Sequence, residues 1–146
     1  MNQPVLKILF LCTGNSCRSQ MAEGWAGALK GGVIEAYSAG IEKHGVNQLA
    51  VKVMAEAGVD ISNQRSKLVQ ELMAVQFDYV ITLCDHANQS CPLFPGPVKR
   101  KHVGFNDPPL LAKNAKSEEE ALSHYRRVRD EIREFIKTLP ESLYDK

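Results

Sequence analysis

The chain has 146 residues, 44% apolar and 24% charged, a composition of an ordinary folded domain that excludes disordered and membrane-embedded classes. A net charge of +1 gives no ground for a nucleic-acid partner, and the apolar run at residues 5–11 is too short to cross a membrane and has no secretion-signal pattern. Residues 1–146 are therefore expected to form a single domain in the cytoplasm, where four cysteines more readily serve catalysis or metal binding than structural disulfides.

In chain order, Val5 to Leu11, interrupted only by Lys7, reads as a buried strand. Met21, Trp25 and Leu29 recur at helical spacing up to Gly31-Gly32, so a helix follows, with Met21 and Trp25 packing it on the sheet. Val33 to Ser38 is a second strand, stopped by Ala39-Gly40. Leu49, Val53, Met54 and Ala57 share a helical face, and Gly58 is its natural C-cap. Ser62 or Ser66 is expected to cap a short helix carrying Leu68, Val69, Leu72 and Met73. Phe77 to Leu83, rich in β-branched and aromatic residues, is a third strand. Cys84 to Pro97 predicts a loop with one helical turn, and His102 to Phe105 a fourth strand ending at Asn106-Asp107-Pro108-Pro109. The last helix opens with a capping box, Ser117 and Glu120, and runs to Pro140 on the stripe Leu122, Tyr125, Val128, Ile132, Phe135, Ile136 and Leu139. Strands alternating with helices predict an α/β fold, a four-stranded parallel sheet flanked by helices on both faces. Such sheets bind ligands at the carboxyl ends of their strands, and Cys12, Cys84 and Asp107 each follow a predicted strand.

Between the first strand and first helix lies Cys12-Thr13-Gly14-Asn15-Ser16-Cys17-Arg18-Ser19. A tight loop entering a helix leaves backbone N–H groups free and aims the positive helix end at one spot, so Thr13 to Ser19 form a candidate oxyanion cradle. Arg18 can hold two oxygens of a tetrahedral anion with its fork, and Ser19 can donate to the Cys12 sulfur. A thiol so placed is expected to titrate in the range of about 3.5–7.5, which makes Cys12 a candidate nucleophile. The Gly-Lys-Ser/Thr ending of a nucleotide-binding loop is missing. This Cys-x5-Arg-Ser loop resembles that of low-molecular-weight protein tyrosine phosphatases and of the arsenate reductases that share their fold.

Cys84 and Cys91 are separated by six residues, Asp85 to Ser90, too many for a zinc ribbon pair, although zinc on Cys84, His86, Cys91 and His102 remains open. With a polar and then Pro-rich neighbourhood, they read better as a redox pair on a movable segment. Together with Cys12 they suggest a relay. Cys12 attacks an oxyanion, Cys84 attacks Cys12 to give a transient Cys12–Cys84 disulfide, and Cys91 attacks Cys84 to leave a redox-active Cys84–Cys91 disulfide. One disulfide carries the two electrons that take arsenate to arsenite, a pair for which phosphoryl transfer has no use. Asp107 is the candidate general acid, or else an ordinary turn residue.

The loop, Tyr37-Ser38-Ala39-Gly40, the Cys84/Cys91 pair and Phe105-Asn106-Asp107-Pro108 together resemble the thioredoxin-coupled arsenate reductases over nearly the whole chain. The resemblance implies Cys12 as nucleophile, Arg18 as oxyanion ligand, Asp107 as acid, Cys84 and Cys91 as disulfide carriers, and Cys17 as packing. It further implies thioredoxin as reductant; the chain is expected to act as a monomer without a bound cofactor, in arsenic detoxification. Some members hold potassium with side chains matching Asn15, Glu23 and Ser38 plus an acidic residue; here the fourth position is Lys67, whose ammonium is expected to replace the ion and pair with Glu23.

Arg126, Arg127, Arg129, Arg133 and Lys137 alternate with Asp130, Glu131 and Glu134 and read as a solvated helix face. Lys99-Arg100-Lys101 is either a plain basic turn or an attraction for arsenate or the reductant, and His44, His86, His102 and His124 have no evident partner in sequence. Two alternatives to the reductase stay open, a phosphatase acting on phosphotyrosine or aryl phosphates and a non-enzymatic protein that binds metal or arsenite through Cys84 and Cys91.

Overall fold

A computed structural model describes residues 5–144, so the two ends of the expected 1–146 domain lie outside the described residues. Strands β1 (Leu6–Cys12), β2 (Ile34–Gly40), β3 (Tyr79–Thr82) and β4 (Lys99–His102) form an all-parallel four-stranded sheet in the order β2-β1-β3-β4. In β1 the consecutive Ile8, Leu9, Phe10 and Leu11 are all fully buried. Successive side chains point to opposite faces, so both faces of the central strand are covered, as a parallel sheet requires. Truncating Phe10 to Ala there would cost about 3–5 kcal/mol.

Helix α1 (Arg18–Lys30) buries Met21, Ala22, Trp25 and Ala26, but Leu29 is exposed, so its apolar stripe ends one turn sooner than expected. Trp25 also joins helix to helix. Its indole N–H donates to the carbonyl of Arg129 at 3.1 Å, and the Arg133 guanidinium lies 5.7 Å from its ring centre, both on α5 (Glu118–Lys137). The expected stripe of α5 is buried at Leu122, Tyr125, Val128, Ile132 and Ile136. Only half of its capping box forms: Ser117 Oγ accepts the Glu120 N–H at 3.1 Å, while the Glu120 carboxylate takes the N–H of Lys116. With Ser117 extended (φ −154°), the preceding amide is the one the carboxylate reaches.

Three further boundaries differ from expectation. β2 continues through Ala39-Gly40, because Gly40 lies opposite Cys12 and donates its N–H to the Lys67 carbonyl at 2.8 Å. β4 is the basic run Lys99–His102 instead of residues 102–105; on a sheet edge the charged side chains remain in water while the backbone pairs. Beyond it, Val103 and Phe105 still donate to the Thr82 and Leu83 carbonyls, which carries the chain across the carboxyl rim toward Asp107. The short helix is a single 3-10 turn, Val69–Leu72, and neither serine caps it: Ser66 is buried and donates instead to the carbonyl of Gly14 at 3.0 Å. The remaining helices are α2 (Gln48–Glu56), α3 (Asp85–Gln89) and α4 (Pro108–Leu111), with a second 3-10 turn at Glu141–Leu143.

Candidate active site

Cys12 is the last residue of β1 and Arg18 the first of α1, so residues 13–17 make the whole turn from strand to helix. All six carbonyls from Cys12 to Cys17 are taken on the outer side of that turn. Ile41, Glu42, His44 and Asn47 donate their N–H groups to the carbonyls of Cys12, Thr13, Gly14 and Ser16 at 3.2, 2.7, 3.1 and 2.9 Å. Gln20 Nε2 donates to the Asn15 carbonyl at 3.0 Å, and the Met21 N–H to that of Cys17 at 2.9 Å. In a trans peptide the N–H points away from its C=O, so tying the carbonyls outward turns the loop amides toward the concave side. The closeness of this strap explains Gly40, where a Cβ would stand 2.4 Å from the Glu42 carbonyl and 2.7 Å from the Asn15 nitrogen.

Cys12, Thr13, Gly14, Ser16, Cys17, Arg18 and Asp107 meet around one cavity of about 340 Å³, joined by His44, Asn47 and Pro109. Asn15 and Ser19 are fully buried behind it. Asn15 holds a left-handed backbone (φ 48°), which an Asn tolerates better than most side chains. Its amide is fixed at both ends: Oδ1 accepts the Lys67 N–H at 2.8 Å and Nδ2 donates to Ser19 Oγ at 2.7 Å. Ser19 Oγ in turn lies 2.9 Å from Cys12 Sγ.

Arg18 is nearly buried, with Nη1 donating to the Phe105 carbonyl at 3.1 Å and Nη2 lying 3.6 Å from Asp107 Oδ1. Its Nε is buried with no hydrogen-bond partner. An unpartnered guanidinium donor is costly unless an anion completes it, and this one belongs to a residue lining the cavity. Asp107 sits at the N-cap of α4 with Pro108 as first helical residue and makes no side-chain cap bond, which leaves its carboxyl to the cavity. The Cys17 thiol is pushed far above the ordinary thiol range, by burial first and then by the neighbouring Cys12 and Asp107, against Arg18. Its residue also lines the cavity wall.

Cys84 approaches the loop from the side. Its Sγ is 3.2 Å from Thr13 Oγ1 and accepts the Ala87 N–H at 3.4 Å, as the N-cap of α3. Cys91 is half-buried on the far side of α3, outside the cavity, and all four cysteines are free thiols. Burial raises the Cys91 thiol above its ordinary value, with the Arg100 cation acting against it. Among the described residues no group of three or more His, Cys, Asp or Glu side chains is placed to hold a metal ion. The zinc set of Cys84, His86, Cys91 and His102 is thus not assembled; His102 binds Thr82 Oγ1 at 2.8 Å and Asp85 Oδ1 at 3.2 Å instead.

Lys67 does come to Glu23, with Nζ 3.9 Å from Glu23 Oε1 and donating to the Arg65 carbonyl at 2.8 Å, while Ser38 Oγ donates to the same Glu23 oxygen. Burial pulls the Lys67 ammonium below the usual lysine range, and Glu23 acts in the opposite direction. Sequence reasoning missed His44, Asn47, Ser66 and Gln20. Asn47 carries a readable signal, an Asn just before a helix, and it caps α2 through Leu49 and Ala50; its second bond, to Tyr125 OH at 3.1 Å, is tertiary.

A family model described as low molecular weight phosphotyrosine protein phosphatase matches residues 7–146. An arsenate reductase of Bacillus licheniformis is 54% identical over 135 residues, 92% of this chain and 95% of that one. Among solved structures, an arsenate reductase in the intermediate state superposes with a TM-score of 0.74 at 32% identity, covering 96% of this chain and 100% of the other. A thioredoxin-dependent arsenate reductase of Corynebacterium glutamicum gives 0.67 at 26% identity, covering 97% of this chain and 65% of that one. The chain belongs to the low molecular weight phosphotyrosine protein phosphatase family, and within it groups with proteins named arsenate reductase.

Proposed function

We propose that this protein, acting as one domain in the cytoplasm, reduces arsenate to arsenite and is itself reduced by thioredoxin. The observation that carries the reading is the second thiol, Cys84, whose sulfur stands 3.2 Å from the side chain of Thr13 in the oxyanion loop, with a third thiol, Cys91, beyond the next helix. A hydrolytic phosphatase has no step for either thiol. The names of the relatives agree with the reductase, and that of the Corynebacterium glutamicum protein agrees with the reductant.

In this reading the loop amides and Arg18, whose free Nε takes one oxygen, hold arsenate with arsenic before Cys12 Sγ. The Ser19 hydroxyl stabilises the Cys12 thiolate, which forms an S–As bond while an arsenate oxygen leaves as water with a proton from Asp107. Cys84 then attacks Cys12 Sγ. The S–As bond breaks with its electron pair staying on arsenic, so As(V) becomes As(III), arsenite leaves and a Cys12–Cys84 disulfide remains. Cys91 attacks Cys84, Cys12 departs as thiolate, and the Cys84–Cys91 disulfide passes to a dithiol protein. Cys17 takes no part, since its proton is held too tightly for a nucleophile. Lys67 supplies the fixed cation beside Glu23, and its backbone N–H keeps the Asn15 side of the loop in place.

Arsenate-dependent NADPH oxidation with thioredoxin and thioredoxin reductase tests the reading. Multiple turnovers are expected, lost in Cys12→Ser, Cys84→Ser and Cys91→Ser alike. Weak aryl phosphate hydrolysis is expected to survive in Cys84→Ser and Cys91→Ser, because the same cradle accepts phosphate. Brisk aryl phosphate hydrolysis with no arsenate turnover would make the protein a phosphatase.

A further inference from the structure

Helix α3 is the stretch that separates Cys84 from Cys91, and little apolar packing holds it. It has five residues, Asp85–Gln89, of which only Ala87 is buried. A helix of this length is unstable by itself, because nucleation costs more than one turn of bonds returns. Its attachment is polar and comes from the sheet edge. His102 Nε2 on β4 lies 3.2 Å from Asp85 Oδ1, and Arg100 Nη2 on β4 donates to the Asn88 carbonyl at 3.0 Å. Thr82 Oγ1 on β3 lies 3.3 Å from Asn88 Oδ1 and 2.8 Å from His102 Nδ1, which ties the contacts into one network.

The two cysteines cannot bond while α3 is helical. The five helical residues between the caps Cys84 and Ser90 rise about 1.5 Å each and carry the chain roughly 9 Å away from Cys84 before Cys91 is reached, whereas a disulfide needs Cα atoms within about 4.4–6.8 Å. The segment must unwind, and the contacts above are what unwinding breaks.

We propose that Arg100, His102 and Thr82 form a clasp that keeps α3 helical, and that release of this clasp gates formation of the Cys84–Cys91 disulfide. The proposal rests on the relay reading above. In the gated step Cys91 attacks Cys84 Sγ, one S–S bond forms, the Cys12–Cys84 bond breaks and Cys12 leaves as thiolate, so the clasp residues exchange neither electrons nor atoms. They are positioning residues, since none touches a reacting sulfur. Arg100, part of the run Lys99-Arg100-Lys101 read from sequence as a basic turn or an attraction for arsenate or the reductant, thereby gains a structural use in the redox cycle.

The test is the double variant Asp85→Ala/Arg100→Met, which alters two exposed side chains and leaves the sheet intact. Hydrogen exchange of the residue 86–90 amides is measured in the reduced protein. The Cys84–Cys91 equilibrium is measured in dithiothreitol redox buffers at about pH 6, below the ordinary thiol range, where the Arg100 charge does not act through a thiolate. The disulfide is located by mass spectrometry. Exchange is expected to rise about tenfold and the equilibrium to move toward the disulfide by a similar factor, as for the loss of one or two charge-assisted hydrogen bonds near a surface. Aryl phosphate hydrolysis should be unchanged, and Arg100→Lys in place of Arg100→Met should restore part of the effect. Unaltered exchange, or faster exchange with an unaltered equilibrium, overturns the clasp. A wild-type protein that forms no Cys84–Cys91 disulfide in any of the buffers overturns the relay reading instead.

Discussion

Asn15 Nδ2 donates to Ser19 Oγ at 2.7 Å and holds that oxygen 2.9 Å from Cys12 Sγ. With one lone pair occupied by Asn15, the hydroxyl keeps its own hydrogen to donate to a Cys12 thiolate. Hydrogen bonds to charged groups contribute about 1.5–3 kcal/mol, so Ser19→Ala should slow iodoacetamide alkylation of Cys12 at neutral pH by roughly tenfold or more. Arsenate turnover and aryl phosphate hydrolysis should fall with it. Asn15→Gly keeps the left-handed backbone (φ 48°) and removes only the amide; it should slow the alkylation too, by a smaller amount. Unchanged alkylation in both variants would falsify the Ser19 assignment.

Arg18 has two terminal nitrogens engaged by Phe105 and Asp107 and one buried donor, Nε, left over. A lysine keeps the charge but lacks both the fork and the extra donor. Arg18→Lys should therefore lower kcat/KM for arsenate by roughly 100-fold or more, comparable to removing a preorganised donor to a developing oxyanion. Equilibrium competition by phosphate, measured through protection of Cys12 from alkylation, should weaken in the same variant. Wild-type affinity for phosphate in Arg18→Lys would leave the orphaned Nε without a role.

Cys91 gives a pH dependence with a definite sign. Burial raises its thiol above the ordinary value and Arg100 only partly opposes this, so at neutral pH it is protonated and a poor nucleophile. Conversion of the Cys12–Cys84 to the Cys84–Cys91 disulfide should accelerate as pH rises, about tenfold per unit, and continue past the ordinary thiol pKa of roughly 8.5. Because the folded pKa lies above the unfolded one, the same group contributes stability below the ordinary thiol value and loses it as pH climbs through the raised one. Single-turnover mixing with arsenate, followed by acid quench and disulfide mapping, follows the conversion; a rate that levels off at neutral pH would contradict the burial argument.

How legible the site was depended on how local its signals are. The loop from Cys12 to Ser19 was readable because strand, Gly-containing turn and helix start follow one another directly, and its Cys12–Ser19 contact spans a short stretch of chain. The stripe of α5 was readable because a helix period is a sequence property. Ser66, Gln20 and the strap from Ile41 to Asn47 were not, since each acts by a bond to the loop that only the tertiary fold creates. β4 was misplaced because an edge strand can be composed of Lys99, Arg100, Lys101 and His102, whose pairing is paid for by the backbone and leaves no apolar alternation to read. Leu29 differs for the opposite reason: its spacing fits the stripe, yet the side chain is exposed in the last turn of the helix.

Lys67 yields a prediction about potassium. Its ammonium lies 3.9 Å from Glu23 Oε1, the oxygen that also accepts the Ser38 hydroxyl, and its own N–H holds Asn15 Oδ1 at 2.8 Å. A cation is therefore already built in beside Glu23, so exchanging potassium for a large organic cation at constant ionic strength should change arsenate turnover less than about twofold. Lys67→Asp replaces that cation with a second carboxylate next to Glu23, and two like charges so close disfavour one another unless a cation joins them. The variant should lose activity several-fold in the organic cation and recover with potassium, while its backbone bond to Asn15 persists. Steady-state kinetics in the two salts decides it: a several-fold potassium activation of the wild type would mean that the ammonium does not fill the cation's place, and Lys67 would then serve only to anchor the chain between Asn15 and Gly40.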